Sequence, residues 1–277
     1  MGQPESEKVL VNSQAKMDVI IPAIEKDLGT LPYVIDSVRK YVQHPIGRIM
    51  VVSPDSPKIK ALCKQKGCKF VNETRVLPFT KKNIHYSSKR WDRSGWLYQQ
   101  LLKFNGDTLA KERYFLVIDA DTILIRPHVF RTGNKTVFYY RRWSQNEYFV
   151  TYRKLMGQKR SSARSFVAHY MLFDTTKLAR LKRKIEAKHN TKWYNAIIRS
   201  INKKKQFGFS EFETYGNYLH SGDPKKLVFR RCLNRSFNMN ASQLSENQIQ
   251  HYAKTYRSLS FHKRKVYSKR SAAARKK

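Results

Sequence analysis

A chain of 277 residues, 40% hydrophobic and 13% aromatic, is long enough to bury a sizeable core as one large α/β domain. Its 56 Lys and Arg against 20 Asp and Glu leave a formal charge of +36, which points to an anionic partner without choosing among nucleic acid, anionic lipid, polyanionic glycan and nucleoside diphosphate. Three irregularly spaced cysteines, Cys63, Cys68 and Cys232, exclude a disulfide framework or a zinc site, and no apolar window approaches the roughly 18 residues of a membrane span. Residues 1–16 are polar, without the apolar centre of a signal peptide, and are expected to be a disordered segment, although Met1 to Ser6 fits the loose myristoylation pattern. The expected setting is cytosolic and reducing, with peripheral attachment to an anionic membrane as a further option.

Order is predicted to begin with a short buried strand over 17–21, closed by Pro22 and a polar loop through Asp27. Val34, Ile35, Val38, Tyr41 and Val42 recur at helical spacing over 31–42, with Pro32 near the helix start. A second strand over 48–53, a basic helix over 58–66 ended by Gly67, and a third strand over 69–71 complete two βα units, which argues for a parallel, right-handed sheet. Residues 72–89 read as a polar loop near the site. A helix capped by Asp92 or Ser94 then runs to Phe104, with Arg93, Gln99, Gln100 and Lys103 forming a dense polar set beside its apolar face.

That helix delivers the chain to its most informative stretch. Tyr114, Phe115, Leu116, Val117 and Ile118 run straight into Asp119-Ala120-Asp121, and an apolar run to Ile125 follows. The whole of 114–125 reads as a strand covered on both faces, as in a parallel α/β sheet. Two carboxylates this close repel each other and are costly to desolvate, so they call for a cation; oxygen ligands suit Mn²⁺ or Mg²⁺. Further strands are expected over 136–140, 166–173 and 227–233. Residues 141–165 read as a basic lid or acceptor-facing excursion, helical over 148–156, and 176–200 as one or two basic helices. Ser210 and Glu213 form a capping-box pattern, so a helix starts at Ser210 with Glu213 occupied in closing it. Glu211 has no such task. His169, inside an apolar run, reads as a satisfied core histidine. The domain is expected to span 17–263, with a basic tail over 264–277.

Asp119-Ala120-Asp121-Thr122 after a buried strand resembles the DxD motif of glycosyltransferases with the GT-A fold. The segments Arg93-Ser94-Gly95-Trp96, Ser210-Glu211-Phe212-Glu213 and Ser260-Phe261-His262-Lys263 are similar, in type and order, to a bacterial and viral group of glycosyltransferase-like proteins of uncharacterised activity. The resemblance covers most of 17–263. It implies a Rossmann-like mixed sheet, mostly parallel and flanked by helices. It further implies a sugar nucleotide (UDP- or GDP-linked) as donor and a hydroxyl on a glycan or glycoconjugate, of anionic character given the charge, as acceptor.

By the same resemblance Pro22, Ala23, Asp27 and Ser53 would hold base and ribose, and Asp119 and Asp121 a metal bridging the phosphates. His262 would complete the metal shell, Lys263 would meet a phosphate, and Arg93 and Gln100 would contact phosphate or sugar. Glu211 is the expected general base for the attacking hydroxyl. The competing class is a nucleic-acid-binding protein, metal-dependent nuclease or nucleotidyltransferase, motivated by the charge and by 4 Trp, 16 Tyr and 15 Phe. Basicity spread over nearly every segment, with few carboxylates near the pair, argues against it.

Overall fold

The computed structural model describes residues 13–262, so Lys263, the myristoylation pattern and the basic tail lie outside the described residues. The first part of the chain forms strand β1 (Met17–Pro22), helix α1 (Leu31–Tyr41), β2 (Ile46–Ser53), α2 (Pro57–Gln65), β3 (Lys69–Asn72), α3 (Ser94–Phe104) and β4 (Tyr114–Ile118). Then come β5 (Thr122–Leu124), β6 (Arg131–Thr132), β7 (Lys135–Tyr140), α4 (Asn146–Met156) and β8 (Tyr170–Asp174). The last part is α5 (Thr175–His189), α6 (Trp193–Ser200), α7 (Glu211–Gly222), β9 (Leu227–Arg231), β10 (Asn234–Phe237), α8 (Glu246–Ala253) and β11 (Ser258–Phe261).

The central sheet has the order β3-β2-β1-β4-β8, parallel throughout except for β8, which runs antiparallel to β4. This is the mixed, mostly parallel α/β architecture expected from the sequence. Strand periodicity divides its side chains between two cores. Ile20, Phe115, Val117, Met171 and Phe173 pack on the face covered by α3 and α5 to α7, whereas Val19, Ile21, Leu116, Ile118 and Leu172 pack on the face of α1 and α2. Both faces are covered, so the strands read as continuous apolar runs rather than alternating ones. The exception is Asp18, 1% exposed within β1. It accepts hydrogen bonds from the Arg48 backbone (2.7 Å), the Arg48 guanidinium (2.8 Å) and the Lys111 backbone (2.8 Å). Gly47 is needed beside it, because a Cβ there would lie 2.5 Å from the Asp18 carboxylate.

Two predicted strands are corrected. The run 114–125 is not one strand: β4 ends at Ile118, the chain turns with the Thr122 amide donating to the Asp119 carbonyl (3.1 Å), and β5 enters a different sheet, order β10-β11-β5. The apolar run continues unbroken because β5 is also buried, so composition does not show the turn. The expected strand over 166–173 begins only at Tyr170, because His169 has a left-handed backbone (φ 70°) that a strand does not accommodate. The third sheet has the order β6-β7-β9, with β7 antiparallel to β6 and parallel to β9. Among the described residues no helix is long and apolar enough to cross a membrane.

Candidate active site

A cleft of about 1450 Å³ opens beyond the carboxyl ends of β1 and β4, where open α/β sheets bind their ligands. The turn between β4 and β5 places Asp119 and Asp121 in its wall. The antiparallel pairing of β11 with β5 sets Ser260 opposite Thr122, their hydroxyls 2.8 Å apart, and so brings the end of β11 to the same turn. The Phe261 amide donates to the Asp121 carbonyl (2.8 Å), and His262 Nδ1 lies 3.1 Å from Asp121 Oδ2. His169 Nδ1 lies 3.1 Å from Asp119 Oδ2, its carbonyl accepts the Asp119 amide (2.9 Å), and its ring is 5.2 Å from that of His262. His169 is therefore part of this corner rather than a core histidine. Its left-handed backbone is the kind of local strain that accumulates at functional sites.

Behind the carboxylates lies a group that the sequence left unassigned. Lys103, in the last turn of α3 and 3% exposed, forms ion pairs with Asp119 and, at 3.0 Å, with Glu211. Burial works against its charge, yet the two carboxylates hold its pKa above the ordinary lysine value. Burial would likewise raise Asp119, but the Lys103 ammonium and His169 keep it well below the usual carboxylate range. The Glu211 carboxyl is pushed up to about 7, burial outweighing Lys103. The Gln100 amide, oriented to donate, turns its NH₂ to the same carboxylate.

The structure sets Glu211, the expected general base, apart from the cleft: it has no exposed surface and does not line the cleft, and its oxygens are turned to Lys103 and Gln100. Glu213 also differs from expectation. Ser210 Oγ accepts the Glu213 amide (3.2 Å), but the Glu213 carboxylate turns away from the helix start to Ser144 (2.6 Å), Ser165 (2.5 Å) and the Phe166 amide (3.3 Å). It fastens the 141–165 excursion to α7 instead of closing a capping box. Ser53 is fully buried, does not line the cleft, and its hydroxyl has no hydrogen-bond partner among the described residues.

Pro22, Ala23 and Asp27 do line the cleft, at the end of β1. Asp27 accepts the Ile24 amide (2.9 Å), and burial, reinforced by Asp121 and Asp119, pushes its carboxyl up to about 6. Arg93 also lines it, donating to Gln206 (3.1 Å) with its guanidinium 4.6 Å from the centre of the Phe207 ring. Gln100 reaches the cleft wall with its amide committed to Glu211.

Two carboxylates and two imidazoles in one corner are a donor set that suits Mn²⁺ or Mg²⁺ through the oxygens and Mn²⁺ through the nitrogens. Among the described residues no three His, Cys, Asp or Glu side chains already converge as a ligand set, since each carboxylate is turned to an imidazole. The residues fit such an ion once those pairs part, by rotation of the half-buried side chains of Asp121 and His262 and of Asp119 and His169.

The model of a family of unknown function, DUF6492, matches residues 14–271, and the chain belongs to that family. No curated protein matches the sequence. Among solved structures the chain is similar to the galactosyltransferase LgtC in complex with donor and acceptor sugar analogs, at 15% identity and TM-score 0.49, over 88% of this chain and 87% of that one. It is similar to mouse xyloside xylosyltransferase 1, at 10% identity and TM-score 0.48, over 89% of this chain and 97% of that one. It is also similar to glucosyl-3-phosphoglycerate synthase from Mycobacterium tuberculosis in complex with Mn²⁺, UDP and glucosyl-3-phosphoglycerate, at 14% identity and TM-score 0.33, over 59% and 58% of the two chains. Scores and identities at this level transfer neither substrate nor residue roles.

Proposed function

We propose that this DUF6492 protein is a divalent-metal-assisted glycosyltransferase of the GT-A type, moving a sugar from a nucleoside diphosphate sugar to an acceptor hydroxyl. The observation that carries this reading is the convergence of Asp119, Asp121, His169 and His262, from three distant parts of the chain, at the carboxyl ends of a parallel sheet and in the wall of one large cleft. At about 1450 Å³ that cleft exceeds the roughly 300–1,000 Å³ of an ordinary small-molecule pocket, which suits two substrates side by side.

In this reading Asp119, Asp121 and His262 hold the cation, with His169 beside them. A bound divalent ion supplies Lewis acidity that offsets the charge gathering on the departing diphosphate. The chain's own residues prepare that corner. Lys103 holds Asp119 in its ionised form, and Glu211, itself held by the Gln100 amide, holds Lys103, so the carboxylate is charged before substrate enters. Pro22, Ala23 and Asp27, at the end of β1, offer the surface for base and ribose. The acceptor approaches from the opposite end, between α3 and the segment leading into α4. Its oxygen forms a bond to the anomeric carbon as the bond from that carbon to the phosphate oxygen breaks, and the hydroxyl proton passes to the departing diphosphate.

The direct test is a screen of sugar nucleotides for metal-dependent hydrolysis, since slow transfer to water needs no acceptor. One or more UDP- or GDP-sugars should be cleaved with Mn²⁺ and spared without it, and cleavage should vanish in Asp121→Asn. Metal-independent cleavage that survives this substitution would contradict the reading.

A further inference from the structure

We infer that the outer half of the cleft is a binding subsite for an anionic saccharide, the acceptor in the transfer reaction proposed above, on which this assignment of role rests. Three separate segments deliver aromatic rings there: Trp96 from α3, Trp143 and Tyr148 from the stretch entering α4, and Phe207 from the loop before α7. Trp96 and Tyr148 are stacked with ring centres 6.5 Å apart and planes at 17°, and Phe207 stands edge-on to Trp96 at 5.8 Å and 90°. The result is a fixed apolar wall. Trp143 stands at the mouth, 59% exposed and more exposed than any other large apolar side chain among the described residues. An indole left in water against the wall of a cleft is surface kept for a ligand.

Cations accompany the rings. The Arg93 guanidinium lies 4.6 Å from the centre of Phe207, and that of Arg141 lies 5.1 Å from the centre of Trp143. Lys81, Lys82 and Arg90 also line the cleft. Besides Asp27, Asp119 and Asp121 the carboxylates that line the cleft are Glu73 and Asp92, Asp92 being engaged by the Ser94 amide (2.9 Å), and Glu213 and Asp119 lie within electrostatic reach of Arg141. Apolar ring faces match the C–H face of a pyranose, and guanidinium groups beside them match a carboxylate or sulfate. At the metal corner Lys103 also lies 5.0 Å from the centre of the Phe212 ring, but both side chains are buried and the ammonium is held by Asp119 and Glu211. A single-stranded nucleic acid would also stack on aromatic groups, but such sites extend over roughly 4–16 nucleotides. The rings here form one stacked pair with a single exposed indole at the mouth, not a run of platforms along a strand.

The test is calorimetry at low and moderate salt, without metal or nucleotide, on the full chain. Probes are an oligogalacturonate hexasaccharide, a heparin-derived hexasaccharide, neutral maltohexaose and oligothymidylate. At least one anionic hexasaccharide should bind ten-fold or more tightly than maltohexaose. Trp143→Ala and Arg141→Gln should each weaken that binding at least ten-fold, and Lys184→Ala, which removes an exposed charge on α5, should change it less than two-fold. Three results overturn the inference: neither anionic hexasaccharide binds, the three variants behave alike, or oligothymidylate binds more tightly than both and depends on Trp143. A parallel titration of the wild-type protein with UDP and GDP plus Mn²⁺ keeps the readings apart. Nucleotide binding without hexasaccharide binding overturns the subsite alone. Hexasaccharide binding without nucleotide binding leaves a saccharide site and removes the transferase.

Discussion

His128 lies directly beneath the site and gives stability a defined dependence on pH. Its ring has no exposed surface; Nδ1 is 2.7 Å from the Arg126 carbonyl and Nε2 is 3.0 Å from the Tyr170 hydroxyl, one residue after His169. Nδ1 therefore carries the proton and Nε2 accepts from the tyrosine, which leaves the imidazole neutral. Burial, assisted by Arg257 and Arg230, lowers its pKa from 6.5 to about 3. A folded-state pKa below the unfolded one contributes stability above pH 6.5 that is lost as pH falls, because only the unfolded chain takes up the proton. Between pH 7 and pH 5 this single group should remove about 2 kcal/mol from the free energy of unfolding. Urea unfolding of the wild type and of His128→Asn at both pH values measures it. The substitution lowers stability at pH 7 but removes the titration, so the wild type should lose about 2 kcal/mol more than the variant on acidification. His44 and the carboxylates titrate in both proteins and cancel in the difference. Equal losses would refute a neutral, buried His128.

Other outcomes follow from the site and the core. Lys103→Met leaves Asp119 and the buried Glu211 without their shared cation and should cost about 3 kcal/mol in urea unfolding, near the low end for a broken buried pair because Glu211 can take up a proton; a cost below about 1 kcal/mol would mean that Lys103 is not the counter-charge. Glu211→Gln should keep sugar-nucleotide hydrolysis within about ten-fold of wild type, whereas a loss of a thousand-fold or more would restore the general-base role that its burial argues against. Phe115→Ala removes a fully buried ring stacked on Phe173 (5.2 Å, 9°) and should cost about 3–5 kcal/mol by chemical denaturation; a much smaller cost would show that the sheet face collapses onto the gap.

Much of the central sheet is legible in the sequence because its strands are buried on both faces. The runs at β1, β2 and β4 need no partner to be recognised, and α1, α2 and α3 carry apolar residues at helical spacing. What depends on distant pairing is not legible. The break at Asp119 to Asp121 exists because β5 pairs with β11, about 140 residues away, and nothing local to the apolar run announces it. His169 looks like a core residue for the same reason: its left-handed backbone and its contact with Asp119 are tertiary facts. The burial of Glu211 is not legible either, because a carboxylate without a local task has the same sequence appearance in a cleft and in a buried ion pair. Lys103 did leave a trace. It belongs to the polar set of α3 with Gln99 and Gln100, but its partner Asp119 lies 16 residues further on and Glu211 in another helix, so only the fold identifies it as their counter-charge.

The central claim is that the carboxylate corner binds a nucleoside diphosphate through a metal, and calorimetry tests it most directly. The wild-type chain should bind UDP or GDP in the presence of Mn²⁺ and lose that binding on chelation, and Asp121→Ala should show no metal-dependent binding of either. If neither diphosphate binds while single-stranded DNA binds tightly with a steep dependence on salt, the chain is a nucleic-acid-binding protein and the transferase account is wrong.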